Sequence, residues 1–240
     1  MLATAARLFA LRGARVALIE ARPAMDAYKT VCSHFIQSSA TPTIEKLGLA
    51  PLLETRGAVH NSVDLWTRDS GWIVANGDAP YGYSVTRRTL DPILRKLAAE
   101  TPGVELLTGW SAVGLPSGGQ PAGVAIENRG HADPLWGIGC GWAFQSADWL
   151  VEETADALDA GGDLDTALER YKRVHRRRLL PHYLMISDIA SGRPINPIER
   201  RLYSVAARDP VMLRAFEEVG SRRRSPARML DPRVLARLAR

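Results

Sequence analysis

One stretch of the chain, "DPLWGIGCGWAFQSADWLVEETADAL" at residues 133–158, combines three glycines in five positions with a long amphipathic run. The run predicts a helix over about residues 142–160, and Asp133-Pro134 predicts a rigid corner before the glycines. A helix N-terminus has unpaired N–H groups and a partial positive charge, and glycines there let a ligand approach the backbone. The pattern favours a flat ligand that gains negative charge. A glycine-rich turn between packed core elements explains it equally well.

The first twenty residues show the pattern of a helix followed by a buried strand. Apolar residues recur at helical spacing over residues 2–11, and Gly13 fits the end of that helix. The run "RVALIE" at residues 15–20 predicts a strand of a parallel sheet with Glu20 at its carboxyl end. In dinucleotide-binding βαβ units a carboxylate at this place accepts hydrogen bonds from ribose hydroxyls. Helix-strand pairs of this kind are also common in α/β proteins generally.

The middle of the chain predicts short strands and one further long helix. Two arginines lead into this helix, with Thr89 as its N-cap and Gly103 just after its end. The other predicted elements are a short helix near residues 43–47, a polar connection through residue 57, an antiparallel pair at 59–68 and 72–75, a strand at 81–85 and a second parallel strand at 103–109.

After residue 162 the sequence predicts only helices. Asp163 starts a helix that Pro181 is expected to interrupt, because proline removes a backbone donor and clashes with the preceding turn. Each later helix starts with an N-cap residue followed by proline at the first helical position. These pairs are Asn196-Pro197, Asp209-Pro210, Ser225-Pro226 and Asp231-Pro232.

Charge is distributed unevenly along the chain. Residues 1–170 carry 14 basic and 20 acidic side chains, a net charge of −6, whereas residues 171–240 carry 17 and 6, a net charge of +11. A basic surface of this kind suits an anionic partner. Arg outnumbers Lys 27 to 4, however, and no aromatic residues alternate with the basic ones, so nucleic-acid binding is disfavoured. A membrane span is also excluded, because no run of about 18 apolar residues exists.

The cysteines and histidines do not indicate a metal site. Cys32 and Cys140 have neither zinc-site spacing nor the pattern of a disulfide framework, so both are interpreted as small buried hydrophobic residues in a reducing cytoplasm. His34 lies in an irregular segment and is interpreted as structural, with ligand contact as the alternative. His175 and His182, among arginines, are interpreted as a solvated helix face.

Five segments, in the right order, resemble FAD-dependent monooxygenases of the p-hydroxybenzoate hydroxylase and geranylgeranyl reductase superfamily. They are "ARLFALRGARVALIEARP" (6–23), "TVCSHFIQSSATPTIEKLGL" (30–49), "YSVTRRTLDPILRKLAAE" (83–100), the stretch at 133–158 and "DLDTALERYKRVHRRRLLP" (163–181). The third segment is similar to the Arg-x-x-Leu-Asp signature of that family and places its arginine at Arg87.

The resemblance implies a flavoenzyme in which NAD(P)H reduces FAD and the flavin then hydroxylates or reduces a small organic or lipid-like substrate. It implies that Glu20 binds the adenosine ribose and that Arg87 binds the phosphate or ribityl region of the cofactor. The residues implied to line the isoalloxazine ring are Asp133, Pro134, Gly137 and Gly139. No catalytic side chain is singled out, because in such enzymes the cofactor carries the chemistry.

The sequence also departs from the family pattern. The GxGxxG turn that binds the pyrophosphate, expected just before Met1, is absent from the 240 residues. Ile126-Glu127 stands where a Gly-Asp pair is expected. A long middle section, with the substrate-binding sheet, has no counterpart just upstream of Asp133.

The fold expected from these observations is α/β. We predict a partial FAD-binding, Rossmann-like domain with a small antiparallel sheet over residues 1–130, a flavin-contacting glycine turn and helix over 131–162, and an all-helical region over 163–240. Self-association is expected, because a central strand of the parallel sheet is missing. The alternative is a non-catalytic remnant, or a helical interaction module whose basic C-terminal helices bind a partner.

Overall fold

A computed structural model describes residues 2–75, 77, 79–110, 138–159 and 161–238. The helices are α1 (Leu2–Leu11), α2 (Thr41–Lys46), α3 (Ala50–Thr55), α4 (Arg87–Ala99), α5 (Ile138–Asp159), α6 (Leu164–Ala190), α7 (Pro197–Ala206), α8 (Pro210–Gly220) and α9 (Pro232–Leu238). The strands are β1 (Val16–Glu20), β2 (Phe35–Ile36), β3 (Val59–Asn61), β4 (Leu65–Thr67), β5 (Gly71–Ile73), β6 (Gly82–Ser84) and β7 (Val104–Thr108). The chain therefore combines helices with short parallel and antiparallel sheets.

Strands β1 and β7 pair in parallel, which confirms both predicted parallel strands. Their register runs from Val16 opposite Val104 to Glu20 opposite Thr108. Helices α1 and α4 pack against this pair, as expected for apolar strands that need cover. Gly103 enters β7 with φ +91°, and a Cβ there would lie 3.0 Å from the Ala14 carbonyl oxygen. The parallel sheet has two strands within the described residues, and the larger Rossmann-like arrangement stays a prediction.

The predicted pairing of residues 59–68 with 72–75 is only half right. Strand β4 does pair with β5, Leu65 opposite Ile73, but β3 pairs with β6 in a second antiparallel sheet ordered β2-β6-β3. The chain changes sheets between β3 and β4. Side-chain hydrogen bonds hold this change of direction, since Asn61 donates to Ser84 Oγ (3.1 Å) and Asp64 accepts from the Ala75 amide (2.8 Å).

Three helix predictions need correction. The N-cap of α4 is Thr86 rather than Thr89, because the Thr86 hydroxyl accepts the Thr89 amide. Helix α3 occupies the segment predicted as a polar connection, because fully buried Leu53 fixes one turn into the core. Helix α6 continues through Pro181 to Ala190, held by buried side chains on both sides of the proline. Its predicted N-cap, Asp163, is confirmed.

Helix α5 is the central packing element. It begins at Ile138, earlier than predicted, so Gly139 and Gly141 lie in its first turn rather than before it. It packs against α1, α6 and β2. Its Phe144 shares one buried cluster with Leu8 of α1 and Ile36 of β2. The parts of the chain that carry the predicted site are therefore held together by this helix.

The C-terminal helices form a second buried cluster around Met212, Ala215 and Val234, and Ile73 of β5 joins it. The predicted N-caps followed by proline are confirmed at α7 and α8, where Asn196 accepts from the Glu199 amide in a full capping box and Asp209 accepts from two amides. None of the helices in the described ranges is long and apolar enough to span a membrane.

Candidate functional site

One face of α4 carries Arg87, Asp91 and Arg95, spaced four residues apart. Arg87 Nε donates to Asp91 Oδ1 at 2.6 Å, and the other oxygen of Asp91 accepts the Lys29 amide at 2.9 Å. Residues four apart lie above one another on a helix, so the three side chains form a continuous charged row. This row fixes the segment that follows β1 against α4.

Glu20 lies at the carboxyl end of β1, beside the far end of this row. Its Oε1 accepts the Arg22 amide at 2.9 Å, and its Oε2 lies 3.8 Å from the Arg95 guanidinium. Arg95 is only 6% exposed and also donates to the carbonyls of Met25 and Ala27. The Glu20 side chain keeps about a third of its surface exposed, at 31%. Its carboxylate is thus oriented by the protein and still reachable by a ligand.

Arg87 joins the row on α4 to the first turn of α5. Its Nη1 lies 3.4 Å from Cys140 Sγ, one residue beyond Gly139. Burial raises the pKa of the Cys140 thiol, and the nearby Arg87 charge partly opposes this rise. Arg87 and Arg95 are two helical turns apart, about 12 Å along α4. Arg87 therefore lies at the first turn of α5. Glu20 lies beside the same face of α4, two helical turns farther along that helix.

Of the other four predicted site residues, Gly139 lies among the residues that the structure describes. Gly139 is exposed in the first turn of α5, so its backbone is open to a ligand. Asp133, Pro134 and Gly137 lie outside the described residues.

Arg222 also reaches the first turn of α5, and sequence reasoning missed it. It is 6% exposed, and its guanidinium carbon lies 5.8 Å from the centre of the Trp142 ring. A Cβ at Gly141 would lie 2.6 Å from its Nη2, so the glycine makes room for this side chain. Burial lowers the pKa of Arg222 to about 9. Its backbone has φ +61°, an unusual conformation for arginine that is often found at functional sites.

His182 is buried, so its interpretation as part of a solvated face is wrong. It is 3% exposed, and burial together with the Arg222 charge lowers its pKa to about 4. His175 is half-buried, and burial lowers its pKa as well. A sequence pattern could not separate them from the neighbouring arginines, because α6 presents its buried side only every third or fourth residue.

Two buried hydroxyl groups complete the surroundings of the α5 N-terminus. Ser38 and Ser39 are 6% and 8% exposed, and neither hydroxyl has a hydrogen-bond partner among the described residues. Ser39 Oγ lies 3.8 Å from the place of a Cβ on Gly141. A long helix N-terminus, two guanidiniums and free hydroxyls together favour negative charge. No group of three side chains suited to a metal ion occurs in the described part of the chain.

Comparisons with known proteins add little to this geometry. No protein-family model matches the chain, and no curated protein matches it. Among solved structures, a mutant of PqsL from P. aeruginosa is similar at 19% identity with a TM-score of 0.39. The alignment covers 48% of this chain and 33% of the PqsL chain, so this chain spans about a third of the length of PqsL.

Proposed function

We propose that this chain is an FAD-dependent oxidoreductase of the monooxygenase or reductase type. In this proposal NAD(P)H is the electron donor and the substrate is a small organic or lipid-like molecule. The observation that carries the proposal is the placement of Glu20 and Arg87 on one side of α4, with Arg87 touching the first turn of α5. These residues are distant in sequence, yet both border the same row of charged side chains on α4, and the family resemblance assigns both to the cofactor.

The chemistry of this donor set fits FAD. A partly exposed carboxylate at a strand end suits ribose hydroxyls, and a guanidinium suits a phosphate. The N-terminus of a 22-residue helix suits the flavin edge that becomes negative on reduction. When bound, FAD would supply the hydride and oxygen chemistry.

In this proposal each of the site residues has a binding or electrostatic role. Glu20 holds the ribose, and Arg87 holds the phosphate or ribityl region. The flavin ring is lined by Asp133, Pro134, Gly137 and Gly139. The N-terminus of α5, with Arg222 beside Gly141, stabilises negative charge.

A titration with FAD tests the proposal. We expect binding that quenches flavin fluorescence, with a dissociation constant weaker than micromolar. The chain contains no GxGxxG turn, and losing two or three charge-assisted hydrogen bonds at about 1.5–3 kcal/mol each weakens affinity by several orders of magnitude. A colourless protein that leaves FAD fluorescence unchanged at millimolar protein would refute the proposal.

A second candidate, a helical interaction module, is favoured by one observation. A cavity of about 240 Å³ between α7 and α9 is lined by Arg201, Arg208 and Arg237. Arg237 pairs with Asp209 at 3.6 Å, which leaves a net positive lining suited to a carboxylate or phosphate of a partner. This candidate predicts a protein that binds acidic peptides, loses that binding in Arg201→Met, and does not bind FAD.

A further inference from the structure

The two cysteines of the chain are brought together across 108 residues of sequence. Cys32 lies three residues before β2, Cys140 lies in the first turn of α5, and β2 packs against α5. The side chains of Cys32 and Cys140 interact, and this contact adds to the rise that burial causes in the pKa of the Cys140 thiol. Arg87 Nη1 lies 3.4 Å from Cys140 Sγ. The packing of β2 on α5 thus creates a dithiol beside a guanidinium.

Neither cysteine is in a disulfide, and neither is fully buried. Each is a free cysteine of intermediate exposure. The segment around Cys32 is held in place, since its sulfur accepts the His34 amide at 3.4 Å and His34 adopts φ +61°. A residue other than glycine in this conformation is uncommon and marks a constrained turn. Because the chain contains two cysteines, one intramolecular disulfide can form.

We propose that Cys32 and Cys140 are a thiol–disulfide site, which closes reversibly by exchange with a low-molecular-weight disulfide such as oxidised glutathione. One thiol loses its proton and attacks a glutathione sulfur, which breaks the glutathione S–S bond and expels one glutathione thiolate. The second thiol loses its proton and attacks the mixed disulfide at the protein sulfur, which expels the second glutathione. The two cysteines lose two electrons and two protons, and oxidised glutathione becomes two reduced molecules.

The geometry favours the internal disulfide over two separate glutathione adducts. In the folded chain the second thiol is already next to the first, so the ring closes without a search. In an unfolded chain the same two thiols are separated by 108 residues, which is costly to close. Folding should therefore favour the disulfide on the order of 10³-fold. The guanidinium of Arg87 adds a positive charge that stabilises a thiolate during the exchange.

The test equilibrates the full chain with mixtures of reduced and oxidised glutathione, first folded and then in urea. We expect two thiols to disappear together, with a mass loss of about 2 Da and a cross-link between the tryptic peptides of residues 30–46 and 130–170. The glutathione ratio at half-oxidation should shift on the order of 10³-fold between the two conditions. FAD is not needed for this measurement, so its outcome is separate from that of the FAD titration.

Cys32→Ser and Cys140→Ser are matched controls, since each keeps one thiol and nearly the same side-chain size. Each should gain a single glutathione and form no cross-link, while circular dichroism confirms the fold. Three results would overturn the proposal in the wild-type chain. They are two glutathione adducts, disulfide-linked dimers as the main product, or the same half-oxidation ratio in the folded and the unfolded chain.

Discussion

At the scale of single residues, the charge of Arg222 contributes to the low pKa of His182. Burial is the larger cause of the low pKa of His182, and Arg222 is the second. The variant Arg222→Met keeps the side-chain length and removes the charge. We expect the pKa of His182 to rise above about 4 and to stay below 6.5, because burial remains. Titration of the His182 ring protons by NMR measures this, and an unchanged pKa would show that the two side chains do not interact.

The low pKa of His182 also makes stability depend on pH. Below pH 6.5 the unfolded chain takes up a proton at His182, whereas the folded chain stays neutral down to about pH 4. The stability from this group is therefore complete above pH 6.5 and is lost as pH falls towards 4, by up to about 3 kcal/mol. Urea unfolding at pH 7 and pH 4 measures the fall in the free energy of unfolding. This fall should be larger in wild type than in His182→Leu, by the contribution of His182. Equal losses in both proteins would contradict it.

Arg87 offers a direct test of its proposed cofactor role. If Arg87 binds a phosphate or ribityl oxygen of FAD, Arg87→Met should weaken FAD binding by about 10- to 100-fold. Arg88→Met is the matched control, because this neighbouring arginine is exposed. We expect the control to change affinity less than about twofold, within the range of surface substitutions. Equal effects of the two substitutions would assign the role to general charge instead.

The residues of the site differ in how far the sequence reveals them. Glu20 ends a recognisable apolar strand, and Arg87 stands at the start of a predictable helix, so both follow from local pattern and resemblance. Arg222 lies in a run of three arginines, and nothing in the local sequence separates a buried arginine from solvated ones. Its burial depends on the space left by Gly141, 81 residues earlier in the chain. Long-range packing of this kind has no signature in a single sequence.

At the scale of elements, Gly82 keeps β2 and β6 together. A Cβ at this position would lie 2.0 Å from the Ile36 carbonyl oxygen, and a backbone atom cannot move without separating the strands. We expect Gly82→Ala to destabilise the protein by about 3 kcal/mol or more. Gly220→Ala, with nothing within 4 Å of the added carbon, should instead stabilise by up to about 1 kcal/mol. Thermal unfolding distinguishes these opposite shifts, and a shift of the same sign in both variants would contradict the close contact.

Elements with strong local signals were predicted well. The strands at residues 16–20 and 104–108 are apolar runs, and the C-terminal helices have N-caps followed by proline, which act within one turn. The errors occur where tertiary contacts decide. Residues 59–68 divide between two sheets, because the side chains of Asn61 and Asp64 bond to Ser84 and to the Ala75 amide. Helix α6 passes through Pro181 because its buried face is held by α5 and the C-terminal turns.

At the scale of the whole molecule, the exposed edge of the parallel pair predicts self-association. Ile19 of β1 is 39% exposed, and β1 has one hydrogen-bonded neighbour strand within the described residues. Strand edges with exposed apolar side chains pair with other chains, and a charge on the edge prevents this. We expect oligomers in sedimentation experiments for wild type and fewer for Ile19→Lys. Ile198→Lys, at a 72% exposed position on α7, is the matched control and should sediment like wild type.

The packing of α1 on α5 has a consequence for synthesis on the ribosome. Leu8 belongs to the same buried cluster as Phe144 and Val151, which are added to the chain more than 130 residues later. At about 5–20 residues per second, the nascent N-terminal helix lacks these partners for roughly 7 to 26 seconds. During that interval we expect its apolar side to stay exposed and open to binding by chaperones. We expect slow codons before residue 138 to prolong the interval and to lower the yield of folded protein, without any change in the amino-acid sequence.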